Sequence, residues 1–375
     1  MDWEWIVIVA VAVAGLWWIS SAFARRRIVA SLGDPVAART GTEDTASAQN
    51  GEVLRLIADF GHTAKSGPLS ARIHAVRAGM DAFGGELNRD PEALGVRVDE
   101  VDVDGIPGEW VRAPHADPDR RLLYLHGGAF FVGSRLSHRP LTAELAKRTG
   151  LSVLVVDYRL LPEHKRVNGI IDCQSAYRWI LQRGPDADGE PSKVFVAGDS
   201  AGGNLTLMLT WWIRDQKLRQ VDGAVALSPA TDSTFQSPSL RTNAPSDPML
   251  GPDLGRLLKL PRWLLLFLTA IAARMSPRNP LISPFHADLS NLPPTLVQAS
   301  ECEMLFDDAR RYTHKARLAG SPVTLQTWAG MVHVWQFFHG VLPEARDALD
   351  HIAAFLGEGG AAKRQDPALL DRHHL

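Results

Sequence analysis

This sequence has little cysteine and no excess of basic residues over acidic ones, and both features exclude classes of function. Only two cysteines occur in 375 residues, Cys173 and Cys302, so neither a disulfide framework nor a thiolate zinc site is indicated. The 40 basic and 42 acidic residues leave a net charge of -2, without the basic excess that nucleic-acid binding requires. We therefore predict reduced thiols, no metal, no cofactor and no nucleic-acid partner.

Long apolar runs are also rare, and the one that is long enough to cross a bilayer lies at the start of the chain. Residues 5–24 carry no charge, and about 20 residues of helix span roughly 30 Å of hydrocarbon. Arg25–Arg27 follow directly and place the rest of the chain in the cytoplasm by the positive-inside rule. The alternative is a signal peptide cleaved near Ala22–Ala24, with export of the remainder. Asp2 and Glu4 favour the anchor, since a signal peptide begins with basic residues.

One glycine-rich turn gives the strongest indication of chemistry. Gly198–Gly202 reads Gly-Asp-Ser-Ala-Gly and lies between a buried strand at Val194–Val196 and a helical pattern that begins at Leu205. The flanking glycines remove the Cβ atoms that would clash in so sharp a turn, which leaves Ser200 exposed at a helix N-terminus. A chance match to this pattern occurs in about one chain of this length in ten, so the serine needs partners.

The predicted partners of Ser200 follow it in the chain. A serine hydroxyl becomes a nucleophile only with a base that takes its proton and an acid that orients the base. His333, in the loop after the last predicted strand, is the predicted base. Four carboxylates after the strand at 295–299 are the alternatives for the acid: Glu301, Glu303, Asp307 and Asp308. Glu303 is preferred because it lies nearer the strand end, whereas both aspartates fall in a first helical turn, where the dipole favours carboxylates whatever their function.

Backbone donors for an oxyanion are predicted before and after the nucleophile. A His-Gly-Gly turn follows the short strand at 122–125, where small residues let N–H groups point into a site. The predicted oxyanion hole consists of three N–H groups, those of Gly127, Gly128 and Ala201. The predicted substrate pocket is lined by two residues of the same loop, Phe130 and Phe131.

Strands and helices alternate along the rest of the chain, which predicts a mostly parallel, doubly wound sheet with helices on both faces. After a hairpin at 96–113, the predicted strands are 122–125, 151–156, 194–196, 224–227, 295–299 and 323–328. Residues 263–273 are apolar nearly all round but too few to span a bilayer. They predict a buried or lid helix, with contact to a membrane interface as the alternative.

Six stretches occur in a fixed order: HGGAF, DYRLLPEH, GDSAGGN, LISPFHADLSNLPPT, ECEML and GMVHVW. In these motifs, over residues 52–356, the chain resembles the hormone-sensitive-lipase family of α/β-hydrolases. The resemblance implies an α/β-hydrolase fold with an N-terminal helical cap, and ester hydrolysis with Ser200 as nucleophile and His333 as base. It implies the same oxyanion hole, formed by Gly127, Gly128 and Ala201. The sequence departs from the family's pattern at Ala129, at Glu303, where aspartate is usual, and at 165–168.

These observations predict the organisation and function of the whole chain. The predicted parts are a transmembrane anchor at 1–24, a polar linker at 25–50, N-terminal cap helices at 51–90, an α/β-hydrolase domain at 91–357 with a cap insertion at about 245–280, and a polar tail at 358–375. The predicted function is a membrane-anchored serine carboxylesterase or lipase that acts on a small-molecule or lipid ester. An amide hydrolase or deacetylase with the same triad is the alternative. A non-catalytic ligand receptor is disfavoured by the complete set of Ser200, Glu303 and His333.

Overall fold

A nine-stranded sheet lies at the centre of the part of the chain that the computed structural model describes, residues 38–39, 49–60, 69–86, 90–357 and 359. The strands are β1 (Ala38–Arg39), β2 (Arg97–Val103), β3 (Ile106–Arg112), β4 (Asp117–Leu125), β5 (Leu151–Val156), β6 (Lys193–Asp199), β7 (Gly223–Leu227), β8 (Thr295–Ser300) and β9 (Val323–Trp328). Their order across the sheet is β1-β9-β8-β7-β6-β4-β5-β3-β2. Neighbours are parallel, except that β3 pairs antiparallel with β2 and β5. The predicted mostly parallel sheet is confirmed.

Helices connect or flank these strands. The α-helices are α1 (Asn50–Phe60), α2 (Leu69–Glu86), α3 (Pro91–Leu94), α4 (Arg135–Thr149), α5 (Arg166–Ile180), α6 (Ala201–Asp215), α7 (Ser239–Thr242), α8 (Leu254–Leu257), α9 (Arg262–Ala273), α10 (Phe306–Leu318) and α11 (Pro343–Gly357). Short 3-10 helices occur at Pro284–His286 and Trp335–Phe338. The apolar spacing of the sequence also predicts helices near 171–180, 307–319 and 344–356, and these correspond to α5, α10 and α11.

Strand β4 shows how both faces of the sheet are covered. Leu123 and Leu125 belong to a buried cluster with side chains of α5 and α6. Leu122 and Tyr124 belong to another, with side chains of α4 and α11. Successive side chains of a strand point to opposite faces, so each face is covered by its own pair of helices. This arrangement is the doubly wound fold that the sequence predicts.

The carboxyl ends of the parallel strands lie along one edge of the sheet, and the loops after them carry the predicted site. Ser200 follows β6, Glu303 follows β8 and His333 follows β9, while the loop with Gly127 and Gly128 follows β4. Strands β4, β6, β7, β8 and β9 are consecutive across the sheet. Residues that are more than 200 positions apart in the chain therefore reach one region.

Helix α4 has no counterpart among the predicted elements. Its sequence has no sustained apolar period, contains Pro140, and buries polar side chains such as those of Ser137 and His138. Its ends carry the clearer signals. Ser134 Oγ accepts a hydrogen bond from the N–H of Ser137 at 3.1 Å, and Gly150 ends the helix in the left-handed region with φ of 66°. Caps define this helix, whereas hydrophobicity does not.

Strand β1 lies inside the segment predicted as a linker, 25–50. Ala38 and Arg39 pair in parallel with Gln326 and Thr327 of β9. The outer strand of a sheet has unpaired backbone groups that an extended segment of almost any composition can satisfy, so composition does not predict such a strand. The predicted anchor at 1–24, the other linker residues up to 48, and the tail at 358–375 apart from residue 359 lie outside the described residues.

The insertion predicted at about 245–280 contains α8 and α9. Helix α9 buries Leu265 and Ala273. Three large apolar side chains on its other side, Trp263, Phe267 and Ile271, are 59%, 57% and 58% exposed. The prediction of a buried helix therefore holds for one face of α9 only. Within the described part of the chain, every helix is too short or too polar to cross a bilayer.

Candidate active site

Ser200 lies on a strained turn between β6 and α6. Its backbone has φ of 52° and ψ of -112°, a region that non-glycine residues rarely adopt. The turn is tight enough that a Cβ at Gly198 or Gly202 would lie 2.5 or 1.9 Å from the carbonyl oxygen of Leu125 on β4. The N–H of Ser200 donates to the carbonyl of Leu227 at 2.7 Å. These contacts fix the serine at the N-terminus of α6.

His333 and Glu303 form a buried pair. His333 Nδ1 lies 2.5 Å from Glu303 Oε2, and the side chains are 4% and 0% exposed. The other carboxylate oxygen, Oε1, accepts from the N–H of Ser300 at 2.9 Å, which fixes the carboxylate plane. His333 Nδ1 carries the proton of this hydrogen bond when the imidazole is neutral, so Nε2 is then an acceptor. His333 Nε2 is buried and has no hydrogen-bond partner among the described residues.

The end of β7 joins the serine turn to the histidine loop. Leu227 O accepts from the N–H of Ser200, and the next residue, Ser228, accepts at Oγ from the N–H of Val334 at 3.2 Å. Ser300 Oγ, at the end of β8, donates to the carbonyl of Met331 at 2.6 Å. The structure thus brings the nucleophile turn and the histidine–glutamate pair to the ends of adjacent strands.

Burial and pairing act in opposite directions on the histidine. Burial alone would lower the pKa of His333, but the hydrogen bond and the charge of Glu303 outweigh it and raise that pKa above the ordinary 6.5. Burial also raises the pKa of Glu303 above 4.5, although its hydrogen bond to His333 opposes this. The pair therefore stabilises an imidazolium, which is the species formed when a serine loses its proton to the histidine.

The other three carboxylates considered from the sequence have different partners. Glu301 Oε1 accepts from a threonine hydroxyl of β9 at 3.0 Å. Asp307 accepts from the N–H of Ser239 at 2.8 Å, and Asp308 accepts from the N–H of Thr231 at 2.6 Å. The latter two hydrogen bonds hold the loop after β7 against α10. These carboxylates stabilise loops and do not bond to the histidine.

The loop after β4 corrects the prediction for Gly127. Its N–H donates to Asp199 Oδ1 at 3.0 Å and is therefore unavailable to an oxyanion. The N–H groups of Gly128 and Ala129 have no hydrogen-bond acceptor among the described residues, and that of Ala201 opens α6, where no intrahelical acceptor exists. Gly128 and Ala129 have φ of 112° and 54°, so the chain turns sharply here. Ala129, which the sequence prediction does not include, thus has an N–H group available in this loop.

Asp199 anchors that loop, and the sequence prediction assigned it no role. Its buried carboxylate accepts from Tyr124 Oη at 2.8 Å and lies 3.3 Å from His138 Nε2. Burial alone would raise the pKa of Asp199, but His138 and these hydrogen bonds lower it overall. A Cβ at Gly127 would lie 2.0 Å from Asp199 Oδ2, so only glycine fits there. The clue in the sequence is the position of Asp199, directly before the nucleophile.

The two N-terminal helices hold the loops of the site. Arg77 of α2 donates from Nε to the carbonyl of Phe131 at 2.7 Å and pairs with Glu163 at 2.9 Å. Asn50 of α1 donates to the carbonyl of Gly330 at 3.2 Å, three residues before the histidine. The helices predicted at 51–90 therefore contact both the oxyanion loop and the histidine loop.

A cavity of about 140 Å³ lies between the oxyanion loop and α9. Its lining residues are Phe130, Leu161, Arg166, Ser233, Thr269, Ala272, Ala273 and Ile282. Of the two residues predicted to line the substrate pocket, Phe130 lines this cavity. Phe131 does not line it: its side chain is 38% exposed, and its backbone is turned towards Arg77. A larger cavity of about 340 Å³ lies at the β2–β3 hairpin and is lined by none of the predicted site residues.

Comparison with known proteins agrees with this geometry. A family model described as alpha/beta hydrolase fold matches residues 122–337. The chain is similar to an acetyl-hydrolase of Streptomyces hygroscopicus, with 37% identity over 82% of this chain and 97% of that protein. It is also similar to an esterase of Acinetobacter venetianus, with 35% identity over 71% and 83%. The crystal structure of an esterase from the bacterial hormone-sensitive lipase family matches with a TM-score of 0.72 and 32% identity, over 84% of this chain and 99% of that one.

The sheet order, the serine on a strand-to-helix turn and a family match over more than half of the chain define an α/β-hydrolase. Within that class, the chain belongs to the hormone-sensitive-lipase family and is a carboxylic ester hydrolase. The predicted fold, family and enzyme class are confirmed.

Proposed function

We propose that this chain hydrolyses carboxylic esters with Ser200 as the nucleophile, His333 as the general base and Glu303 as the acid that orients the base. The observation that supports this most is the 2.5 Å hydrogen bond between His333 Nδ1 and Glu303, which leaves a buried Nε2 without a partner in the described residues. An imidazole held in this tautomer accepts a proton at Nε2.

The reaction proceeds in two halves. Ser200 Oγ attacks the acyl carbon while its proton passes to His333 Nε2, and the N–H groups of Gly128, Ala129 and Ala201 stabilise the oxyanion. The intermediate then expels the alcohol, which takes the proton from His333, and the acyl group stays on Ser200 as an ester. Water repeats both steps, with the same histidine as base, and the carboxylic acid is released.

Among uncharged esters, short acyl groups are the proposed substrates. One relative of this chain is named an acetyl-hydrolase, which supports a short acyl group. A series of p-nitrophenyl esters from acetate to palmitate tests this, with Ser200→Ala as the blank. Among these uncharged esters, we expect the highest kcat/KM at about two to four acyl carbons. Highest activity on palmitate would contradict the proposal.

Amide hydrolysis uses the same groups, so it is the alternative reaction. The matched pair p-nitrophenyl acetate and p-nitroacetanilide separates the two, because the acyl group is identical and only the leaving atom differs. We expect measurable turnover of the ester and none of the anilide above the Ser200→Ala blank. Comparable turnover of both would make the enzyme an amidase.

We further propose that residues 5–24 anchor the enzyme in a membrane, with the catalytic domain in the cytoplasm. The support is the charge-free run, the three arginines after it, and the exposed apolar side of α9. The protein should stay in the membrane fraction after an alkaline carbonate wash, and a reporter fused after Leu375 should be active only in the cytoplasm. A mature N-terminus at Arg25 would instead establish export after signal cleavage.

A further inference from the structure

Arg166 is a buried cation beside the active site that the mechanism does not use. It begins α5, its residue surface is 5% exposed, and it lines the cavity under α9. Its Nη2 donates to Asn204 Oδ1 at 3.1 Å, and its guanidinium carbon lies 3.6 Å from the centre of the Phe130 ring. No carboxylate forms an ion pair with it in the part of the chain that the structure describes.

Other buried arginines of the protein have either an acidic partner for their charge or carbonyl acceptors for their N–H groups. Arg311 pairs with Asp232 at 2.9 Å. Arg121 donates to the carbonyls of Ile180 and Gly189 at 2.9 and 2.8 Å. Arg166 has one neutral amide and one aromatic face instead. A buried charge without an opposite charge costs stability, so this arrangement is unusual for a purely structural residue.

The surroundings of Arg166 are electrically neutral. The two titratable groups that act on it are Tyr158 and Cys173, and burial raises the pKa of both, so both are uncharged at neutral pH. Burial lowers the pKa of Arg166 itself to about 10, so the guanidinium remains protonated. An anion that enters the cavity therefore meets one unopposed positive charge between apolar walls.

The cation is connected to the nucleophile turn through Asn204. Asn204 lies four residues after Ser200 on α6, and its N–H donates to the carbonyl of Ser200 at 3.0 Å. Four residues of helix correspond to about 6 Å along the axis. The same asparagine side chain donates to the carbonyl of Ala230 at 2.7 Å, which fixes its orientation. One asparagine side chain therefore joins the guanidinium to the first turn of the helix that follows the nucleophile.

We propose that the cavity lined by Arg166 is a subsite for a carboxylate at the far end of the ester substrate. The planar guanidinium presents paired N–H donors that match a carboxylate, and the apolar walls formed by Phe130, Leu161 and α9 strengthen that attraction by excluding water. The inference rests on the proposed function and adds the substrate class, namely half-esters of dicarboxylic acids or acyl esters of hydroxy acids. Arg166 then determines specificity and takes no part in bond breaking.

Two matched pairs of substrates test the subsite in the full chain. Monomethyl adipate and methyl hexanoate differ only in a carboxylate at the end of the acyl chain. 4-Acetoxybenzoate and 4-methylphenyl acetate differ in a carboxylate on the alcohol side. Each is assayed with wild type, Arg166→Gln, Arg166→Lys and the control Arg178→Gln. Arg178 is an exposed arginine of the same helix that stacks on Trp212 at 4.8 Å.

We expect wild type to prefer the anionic member of at least one pair by about tenfold or more, the effect of one charged hydrogen bond. Arg166→Gln should abolish that preference, Arg166→Lys should retain part of it, and Arg178→Gln should match wild type. The pair that responds identifies the half of the substrate that enters the subsite. Comparing variants on one substrate cancels differences in leaving-group reactivity.

Two results would overturn the proposal while leaving ester hydrolysis intact. One is a wild type that shows no anionic preference in either pair. The other is an equal loss on charged and neutral esters in Arg166→Gln, which would make Arg166 a structural cation. Thermal melts identify a variant that fails to fold. In that case the wild-type preference for the anionic esters alone tests the proposal. Absence of turnover on all four esters would overturn the proposed function itself.

Discussion

The edge of the sheet and the cap segment around α9 differ in two respects. They differ in whether buried charged groups have partners of opposite charge, and in whether large apolar side chains are covered. At the sheet edge, the buried acids Glu303 and Asp199 each face a histidine, at 2.5 and 3.3 Å. In the cap, α9 exposes more than half of Trp263 and Phe267, and Arg166 beneath it has no carboxylate partner among the described residues. The two acids at the sheet edge are thus paired within the chain, whereas the segment around α9 presents groups suited to something outside it.

The difference follows from the rigidity of the two regions. The site loops leave adjacent strands of one sheet, so their relative positions are set by strand spacing and by hydrogen bonds such as Val334 N–H to Ser228 Oγ. Helix α9 buries mainly Leu265 and Ala273, so fewer apolar contacts fix it. Reaction chemistry needs atoms held in one geometry. Substrate selection tolerates a less constrained element, and apolar patches of this kind mark contact surfaces.

The largest expected effect is at the sheet edge. Ser200→Ala and His333→Ala should each lower kcat by about 10⁴- to 10⁶-fold, because triad members act as a unit. The measurement is the steady-state turnover of p-nitrophenyl acetate, and the melting temperature shows whether each variant folds. Activity above one tenth of wild type in either folded variant would contradict the mechanism.

Glu303→Gln should lower kcat by roughly 10²- to 10⁴-fold, because the imidazolium loses the charge that stabilises it while the side-chain shape is kept. The matched control is Glu301→Gln, two residues earlier in the same loop, where the carboxylate accepts from a threonine of β9. That control should stay close to wild type. A reversed order of the two variants would reassign the acid.

The pH dependence of kcat/KM should report on the pairing of His333 with Glu303. Ser200 can lose its proton only to a neutral His333, so kcat/KM should rise with pH as the imidazolium deprotonates. Glu303 holds the pKa of His333 above 6.5, so the midpoint should lie above that value. In Glu303→Gln the burial remains and the charge is gone, so the midpoint should move down. Profiles on a neutral ester at constant ionic strength measure both, and an unchanged midpoint would show that the two groups are not coupled.

The comparison of the two regions also explains what could be predicted from the sequence. Ser200, Glu303 and His333 follow strands whose apolar runs are visible in the sequence, and strand order then brings them together. Gly127 was assigned to the oxyanion hole because motif position does not reveal that its N–H is used by Asp199. The side-chain direction of Phe131 depends on three successive residues with positive φ, which composition does not indicate.

The elements that escaped prediction depend on tertiary contacts. Helix α4 buries polar side chains such as that of His138 beside its leucines, and β1 forms because β9 offers a free edge. In the sequence, Arg166 is one charged residue of the stretch 165–168, which departs from the family's pattern. Arg166 is buried because α9 and the loop with Phe130 fold around it. Only the folded structure shows that it has no acidic partner among the described residues. Local patterns therefore predict the site's chemistry better than its selectivity.

The smallest expected effect concerns the cap. Trp263, Phe267 and Ile271 are spaced by four residues, so they share one side of α9, and all three are more than half exposed. If this side meets lipid, Trp263→Ser with Phe267→Ser should weaken liposome binding by about tenfold, since burying each aromatic side chain contributes on the order of 1 kcal/mol or more. Turnover of a soluble ester should not change, because neither side chain lines the cavity.

The binding measurement uses the chain from Ala37 onward, which forms one compact unit, so that residues 5–24 do not dominate the result. Leu318→Ser is the matched control, because Leu318 is a large apolar residue that is 77% exposed at the end of α10, outside the cap. Flotation with liposomes should separate the cap variant from this control. Equal binding by both variants, or no binding by the parent chain, would show that α9 only covers the cavity, and esters would then reach Ser200 from solution and not from a membrane.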